Sequence, residues 1–195
     1  MADRGPPQAA TRGPVLVLDA DQPASLAVLR SLARQGLHVE VASADTRAIG
    51  RYSRHASVCW RYPDPLADAE AFVQWLQDHL RTRAYGLVIP LTERSVVPLA
   101  QQRERFAPGL IAVADADALA QVIDKQRTVA LAALLGVPVP LAEPVGDTAQ
   151  ARLAAQRLGY PVVVKPARSV GSKGGQRVQL SVSYAFDERE LVAQV

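Results

Sequence analysis

Pro14-Val15-Leu16-Val17-Leu18-Asp19-Ala20-Asp21-Gln22-Pro23 decides the fold. Residues 14–18 form a short apolar run without alternation, the pattern of a strand buried on both faces. The following acidic, proline-terminated stretch breaks it. Helical spacing then sets in at Leu26, Leu29, Leu32 and Ala33, with Gly36 placed to end the helix. A second strand is predicted at 38–41. Strand, helix and strand joined this closely give parallel strands.

The same alternation runs on toward the C-terminus. A short strand is predicted at 57–60, then a helix at 68–81 with Phe72, Trp75, Leu76 and Leu80 on one face. Another buried strand follows at 86–90, a helix at 92–104 and a fifth strand at 110–113. Five strands alternating with helices predict an α/β, doubly wound, mostly parallel sheet over residues 14–115. Its first turn lacks the glycine fingerprint of a dinucleotide site, and its two carboxylates would repel a pyrophosphate.

Near Asp115 the texture changes. Helices are predicted at 117–122 and 124–135, and Gly136-Val137-Pro138-Val139-Pro140 must be extended. A helix at 147–158 closes on Gly159. A strand at 161–165, a glycine- and serine-rich loop at 167–176 and an alternating strand at 177–183 look like one hairpin with a flexible tip. Residues 187–195 open another helix and stop within its pattern. Two strands in about 75 residues bury a sheet poorly, so residues 116–195 are expected to be an incomplete α+β unit cut from a longer chain. Residues 1–13 read as a disordered leader, since they hold no apolar segment of signal-peptide type.

Composition narrows the function classes. Hydrophobic residues make up 49% and charged residues 21% of the 195, an ordinary globular balance. No apolar run reaches the roughly 18 residues of a membrane span. The net charge of +3 is spread along the chain without a basic, aromatic-interleaved run, which argues against nucleic acid as a partner. One cysteine, Cys59, cannot form an internal disulfide, and a cytoplasmic setting is expected. His38, His55 and His79 lack metal-ligand spacing, and Cys59 reads as a core thiol.

Of 22 Lys and Arg residues only Lys125, Lys165 and Lys173 are lysine. Where arginine serves as the general cation, a retained lysine points to a need for a compact ammonium. Lys165 closes the run Pro161-Val162-Val163-Val164-Lys165-Pro166, read as a buried strand that would leave the ammonium in need of an anion. Beside it Ser169-Val170-Gly171-Ser172-Lys173-Gly174-Gly175 offers backbone N–H groups and hydroxyls suited to phosphate oxygens. A surface hairpin with a snorkelling lysine is the other reading. Lys125 follows Asp124 at a helix start, where a bound polyphosphate would offset its clash with the helix dipole.

In order and spacing, Asp124-Lys125, Gly136-Val137-Pro138-Val139-Pro140, the run 161–166 and the Gly/Ser loop resemble the N-terminal portion of the ATP-grasp superfamily, of the carboxylate–amine ligase type that includes the carbamoyl phosphate synthetase large chain. The resemblance covers residues 14–195, with 14–115 similar to the pre-ATP-grasp domain. It implies ATP contacts from Lys125 and Lys165, and a lid over the phosphates from Ser169, Gly171, Ser172, Lys173, Gly174 and Gly175. It also implies a carboxylate activated as acyl phosphate for attack by an amine or other nucleophile. Mg²⁺ would be held by residues after Val195, leaving no metal ligands in this chain and the chain alone inactive.

In similar proteins the turns after the first and fourth strands face the acceptor. Asp21 and Glu93 would suit an amine there, with Thr92 beside them, while Asp21 and Thr92 also read as helix-start residues. Small-molecule substrates, no nucleic acid, no membrane and a possible homo-oligomer complete the expectation. A non-catalytic ligand-binding or scaffold protein of the same shape is the alternative. A receiver-type reading of Asp19 and Asp21 fails because 86–90 carries no phosphoacceptor aspartate.

Overall fold

The computed structural model describes residues 13–167, 170–173 and 176–195, with side chains undescribed at Val170, 172–173 and 176–179. The expected leader therefore lies, but for Gly13, outside the described residues. The chain divides into two compact units, the first ending at Asp115 and the second starting at Ala116.

In the first unit the elements run β1 (Val15–Val17), α1 (Pro23–Arg34), β2 (Val39–Ser43), β3 (Cys59–Arg61), α2 (Ala69–Thr82), β4 (Leu87–Ile89) and α3 (Glu93–Gln101). The four strands are parallel and lie in the order β3-β2-β1-β4. The fifth strand is reduced to one parallel bridge, Ile111 against Val88, held by Val88 N–H to Leu110 O and Ala112 N–H to Val88 O, both 2.8 Å. Pro108 and Gly109, the latter at φ 76°, keep the chain turning until just before it.

Both faces of the sheet are covered, as continuous apolar strands require. Leu16, Leu18, Ala42 and Val88 pack with Phe72, Val73 and Leu76 of α2 and Leu99 of α3. Val15, Val17, Val39 and Val41 point the opposite way, onto Leu29 of α1. α1 starts on Pro23, whose missing N–H costs nothing in the first turn. It ends at Gly36, where φ is 76°. α3 is shorter than predicted: Pro98 inside it withholds one backbone donor, and the chain passes into a single 3₁₀ turn at Arg103–Arg105.

One acid is buried mid-sheet. The Glu40 carboxylate accepts from Trp60 Nε1, Tyr85 OH and Arg83 Nη2, each at 2.6 Å. Burial alone would raise its pKa, yet these three donors hold it below the ordinary value. His79 bonds Tyr85 OH at 2.9 Å and stacks on Trp75, so this histidine is a packed structural residue. Cys59 is half-buried and free, and burial raises its thiol pKa, which fits an unreactive thiol.

The second unit runs α4 (Ala116–Ile123), α5 (Lys125–Leu134), α6 (Thr148–Leu158), β5 (Val162–Val164), β6 (Val170–Lys173), β7 (Gln176–Gln179), β8 (Ser183–Ala185) and α7 (Glu188–Gln194). Its core is small: Ala151, Ala155, Ala185 and Leu191, with Val162 and Val164 against them. The expected single hairpin is corrected here. β5 pairs antiparallel with β8, Val163 opposite Tyr184. The stretch read as a loop supplies β6, which pairs with β7. A Gly-Gly pair between short runs is itself a hairpin signal, and it lies between these two strands.

Candidate functional site

At the carboxyl ends of β1–β4 the turns of the first unit bring acids, an arginine and hydroxyls together. Asp19 follows β1 at φ 55°, a left-handed backbone that aspartate tolerates better than most residues. Its carboxylate is fully buried. Oδ2 accepts from Leu91 N–H at 3.0 Å, Thr92 N–H at 2.8 Å and Ser95 Oγ–H at 2.6 Å. Oδ1 accepts from Tyr62 OH at 2.9 Å and Arg94 Nε at 3.3 Å. The amides just before α3, Leu91 and its N-cap residue Thr92, are thus tied to a carboxylate 73 positions from Thr92 along the chain. Burial raises the Tyr62 phenol pKa far above its usual value, aided by the Asp19 charge, so Tyr62 is a permanent donor here.

Asp21 sits at the rim of this cluster. Its Oδ1 accepts from Ser43 Oγ at 2.7 Å, and its Oδ2 from Gln22 Nε2 at 2.6 Å and Arg94 Nη2 at 2.5 Å. Burial opposes ionisation, but the bonds from Arg94, Ser43 and Gln22 outweigh it and hold the Asp21 pKa at about 2. The Asp21 and Arg94 side chains are 14% and 17% exposed, so the pair just reaches solvent. Asp21 is therefore an ion-paired carboxylate, and not the bare acid that the sequence suggested for a cationic group.

Thr92 occupies the N-cap position of α3, yet its hydroxyl makes no capping bond. Thr92 Oγ1 is buried without a partner among the described residues. Asp19 takes the Thr92 N–H itself and the Ser95 hydroxyl, while Ser95 N–H bonds the Thr92 carbonyl at 3.1 Å. Glu93 opens α3. Asp21 likewise caps nothing, since Gln22 is the residue that precedes α1.

In the second unit, Asp124 caps α5 by accepting from Gln126 N–H at 3.0 Å and Arg127 N–H at 3.3 Å. Lys125 N–H is thereby left to bond elsewhere, and it donates to Ala167 O at 3.0 Å. That bond ties the start of α5 to the segment two residues beyond Lys165, bringing two of the three lysine positions into one neighbourhood. Lys165 is exposed, as is Val163 two residues before it, while Val162 and Val164 turn to the core. β5 is thus a half-exposed strand, and the expectation that burial forces Lys165 onto an anion is corrected. An exposed ammonium carries no desolvation cost, and its availability to a phosphate rests on position instead.

Gly171 lies on β6, where an added Cβ would come within 2.6 Å of Leu180 Cδ1. Ser172 and Lys173 belong to the same strand. Ser169, Gly174 and Gly175 lie outside the described residues. A helix start and two lysine positions, brought into one neighbourhood by the Lys125–Ala167 bond, are of a kind that suits an anion with several oxygens. Among the described residues no group of three or more His, Cys, Asp or Glu side chains converges as a metal set.

Arg94, Asp19, Tyr62, Ser43 and Ser95 escaped the sequence reading as site residues. Arg94 stands in the stretch Pro90-Leu91-Thr92-Glu93-Arg94, whose acid draws attention first. A cation beside an acid in one strand-end turn, with two more acids after the first strand, was the available signal.

Residues 124–185 match the family model described as the carbamoyl-phosphate synthase L chain, ATP binding domain. The carbamoyl phosphate synthase large chain of Rubrobacter xylanophilus is 30% identical over 111 residues, which cover 57% of this chain and 10% of that protein. Among solved structures, the L-amino acid ligase from Bacillus licheniformis matches with a TM-score of 0.62 and 18% identity, over 94% of this chain and 42% of that one. N5-carboxyaminoimidazole ribonucleotide synthetase from Thermus thermophilus gives 0.57 and 20%, over 92% and 42%. The biotin carboxylase domain of Hydrogenobacter thermophilus 2-oxoglutarate carboxylase, solved with MgADP and bicarbonate, gives 0.55 and 17%, over 94% and 40%. The chain spans well under half the length of each of these relatives. It resembles ATP-grasp ligases in sequence over 124–185 and in fold over most of its length.

Proposed function

We propose that this chain, similar to ATP-grasp carboxylate–amine ligases, carries one half of an ATP site in its second unit and serves an ATP-dependent ligation. The observation that carries the reading is the bond from Lys125 N–H to Ala167 O, within the matched residues 124–185. It sets Lys125 beside the segment that follows Lys165.

In this reading Lys125 and Lys165 bind phosphate oxygens as point charges, which the compact ammonium suits. The β6–β7 hairpin covers the phosphates, with Gly171 allowing close approach and Ser169, Ser172, Lys173, Gly174 and Gly175 contributing donors. ATP would transfer its terminal phosphoryl group to a small carboxylate, giving an acyl phosphate and ADP; an amine or other nucleophile would attack the acyl carbon and expel phosphate, and Mg²⁺ would supply charge neutralisation. The protein's part is positioning and charge neutralisation. Residues 14–115 act as the pre-ATP-grasp domain, and their strand-end turns meet the acceptor. Thr92 and Glu93 are the acceptor-facing residues, while Asp21 acts through its pair with Arg94.

Calorimetric titration of a non-hydrolysable ATP analogue with Mg²⁺ tests this on the native chain and on Lys165→Ala. Saturable binding that Lys165→Ala weakens by about tenfold or more, the equivalent of about 1.4 kcal/mol, is expected. Equal binding by both proteins would remove Lys165 from the site. Binding by neither, alone or within a longer chain that contains these residues, would favour a scaffold over a ligase.

A further inference from the structure

The strand order β3-β2-β1-β4 puts the reversal of connection direction between β1 and β4. In open parallel sheets that crevice is where ligands enter, and the helix N-terminus beside it favours anions. Here the crevice is spanned from within. Asp19 leaves β1, and its carboxylate reaches across to Leu91 N–H, Thr92 N–H and Ser95 Oγ–H at the start of α3. Its second oxygen takes the Tyr62 hydroxyl and the Arg94 Nε–H. The Leu91 and Thr92 amides and the Ser95 hydroxyl, donors a phosphate in the crevice would meet, are therefore engaged by a fully buried protein anion. The adjacent guanidinium is held by Asp19 and Asp21 together.

We infer that Asp19 is a specificity-determining residue: an internal anion that occupies the phosphate position of the first unit and bars nucleotide and phosphate ligands from it. The bar does not depend on whether the second unit binds ATP. A charged side chain in that position repels an incoming phosphate and also removes its donors. The backbone at Asp19, at φ 55°, aims the carboxylate across the crevice. Arg94 is positioned by the same group, since losing Asp19 leaves it Asp21 alone.

The test uses Asp19→Gly, which accepts the positive φ without strain, and Asp19→Ala, each in a Lys165→Ala background so that the second unit contributes as little as possible. Pyrophosphate is titrated at constant ionic strength while the amide resonances of Leu91 and Thr92 are followed. The expected result is saturable shifts at both amides in the Asp19 variants, with affinity about tenfold or more above that of the Lys165→Ala parent. Unresponsive amides in a folded Asp19→Gly protein would overturn the inference, as would equal shifts in the parent. Should both variants be unfolded in phosphate-free buffer, recovery of the fold by pyrophosphate but not by chloride supports it. Failure to recover overturns it. Because the readout is confined to residues 91 and 92, a negative result here leaves the ATP reading of the second unit standing, and the reverse also holds.

Discussion

Asp21 ionises at about pH 2 in the folded chain against an ordinary value of 3.8. A carboxylate depressed by folding stabilises the native state above its unfolded pKa, and that contribution fades as pH falls through the folded one. The window is therefore about pH 4 down to about pH 2. Asp21→Asn is expected to cost about 2 kcal/mol at neutral pH, read as a lower denaturant midpoint. The gap from the native chain should narrow below about pH 4. A gap that stays constant down to about pH 2.5 would mean that Asn mainly disturbs packing against Ser43 and Gln22. At this scale the sequence was partly legible. The scarcity of lysine pointed to Lys125 and Lys165, whose neighbourhood the Ala167 bond then joins. In sequence Asp19 reads only as a repulsive charge, because nothing in a linear reading shows five donors arriving from Tyr62, Leu91, Thr92, Arg94 and Ser95. Arg94 was hidden by a composition in which arginine is the default cation.

Elements with continuous apolar runs and clear stops were readable from residue order alone. β1 and β4 fall within predicted runs, while β2 and β3 overlap theirs and extend two residues and one residue further. α2 starts at a capping aspartate, Asp68, which accepts from Ala71 N–H at 2.9 Å. β5 was placed but given the wrong partner, because pairing of three-residue strands is decided by tertiary packing and not by local pattern. α6 offers an element-scale prediction. Asp147 caps it through Gln150 N–H at 2.8 Å, and Gly159 ends it at φ 80°. α6 supplies half of the small core through Ala151 and Ala155, so its ends govern the unit. Asp147→Ala and Gly159→Ala are each expected to lower stability by about 1 kcal/mol. The check is the thermal midpoint followed by far-ultraviolet ellipticity. If the two substitutions combined cost no more than either alone, the two ends do not act independently.

Across the whole molecule the two units differ in how much they bury. The first packs both faces of a parallel sheet, whereas α4 and α5 of the second hold no fully buried residue. Protection from hydrogen exchange follows burial and local stability. Amides of β1, β2 and β4 are expected to exchange slowest, and those of α4 and α5 faster by about a hundredfold or more. Equal protection in α4, α5 and β1 would show that something further covers those helices. The division near Asp115 was legible as a change of texture. The reach of Asp19 across the strand-order reversal was not, since it depends on which strands become neighbours. The Glu40 corner carries a last consequence. Trp60 and Trp75 are the two tryptophans of the chain. Trp60 donates to Glu40, and the His79 ring sits against both indoles. Indole emission therefore reports one corner of the first unit and is blind to the second, while ellipticity sums the helices of both. Followed side by side on one sample, the two optical signals would tell a single concerted melt from two successive ones without any label.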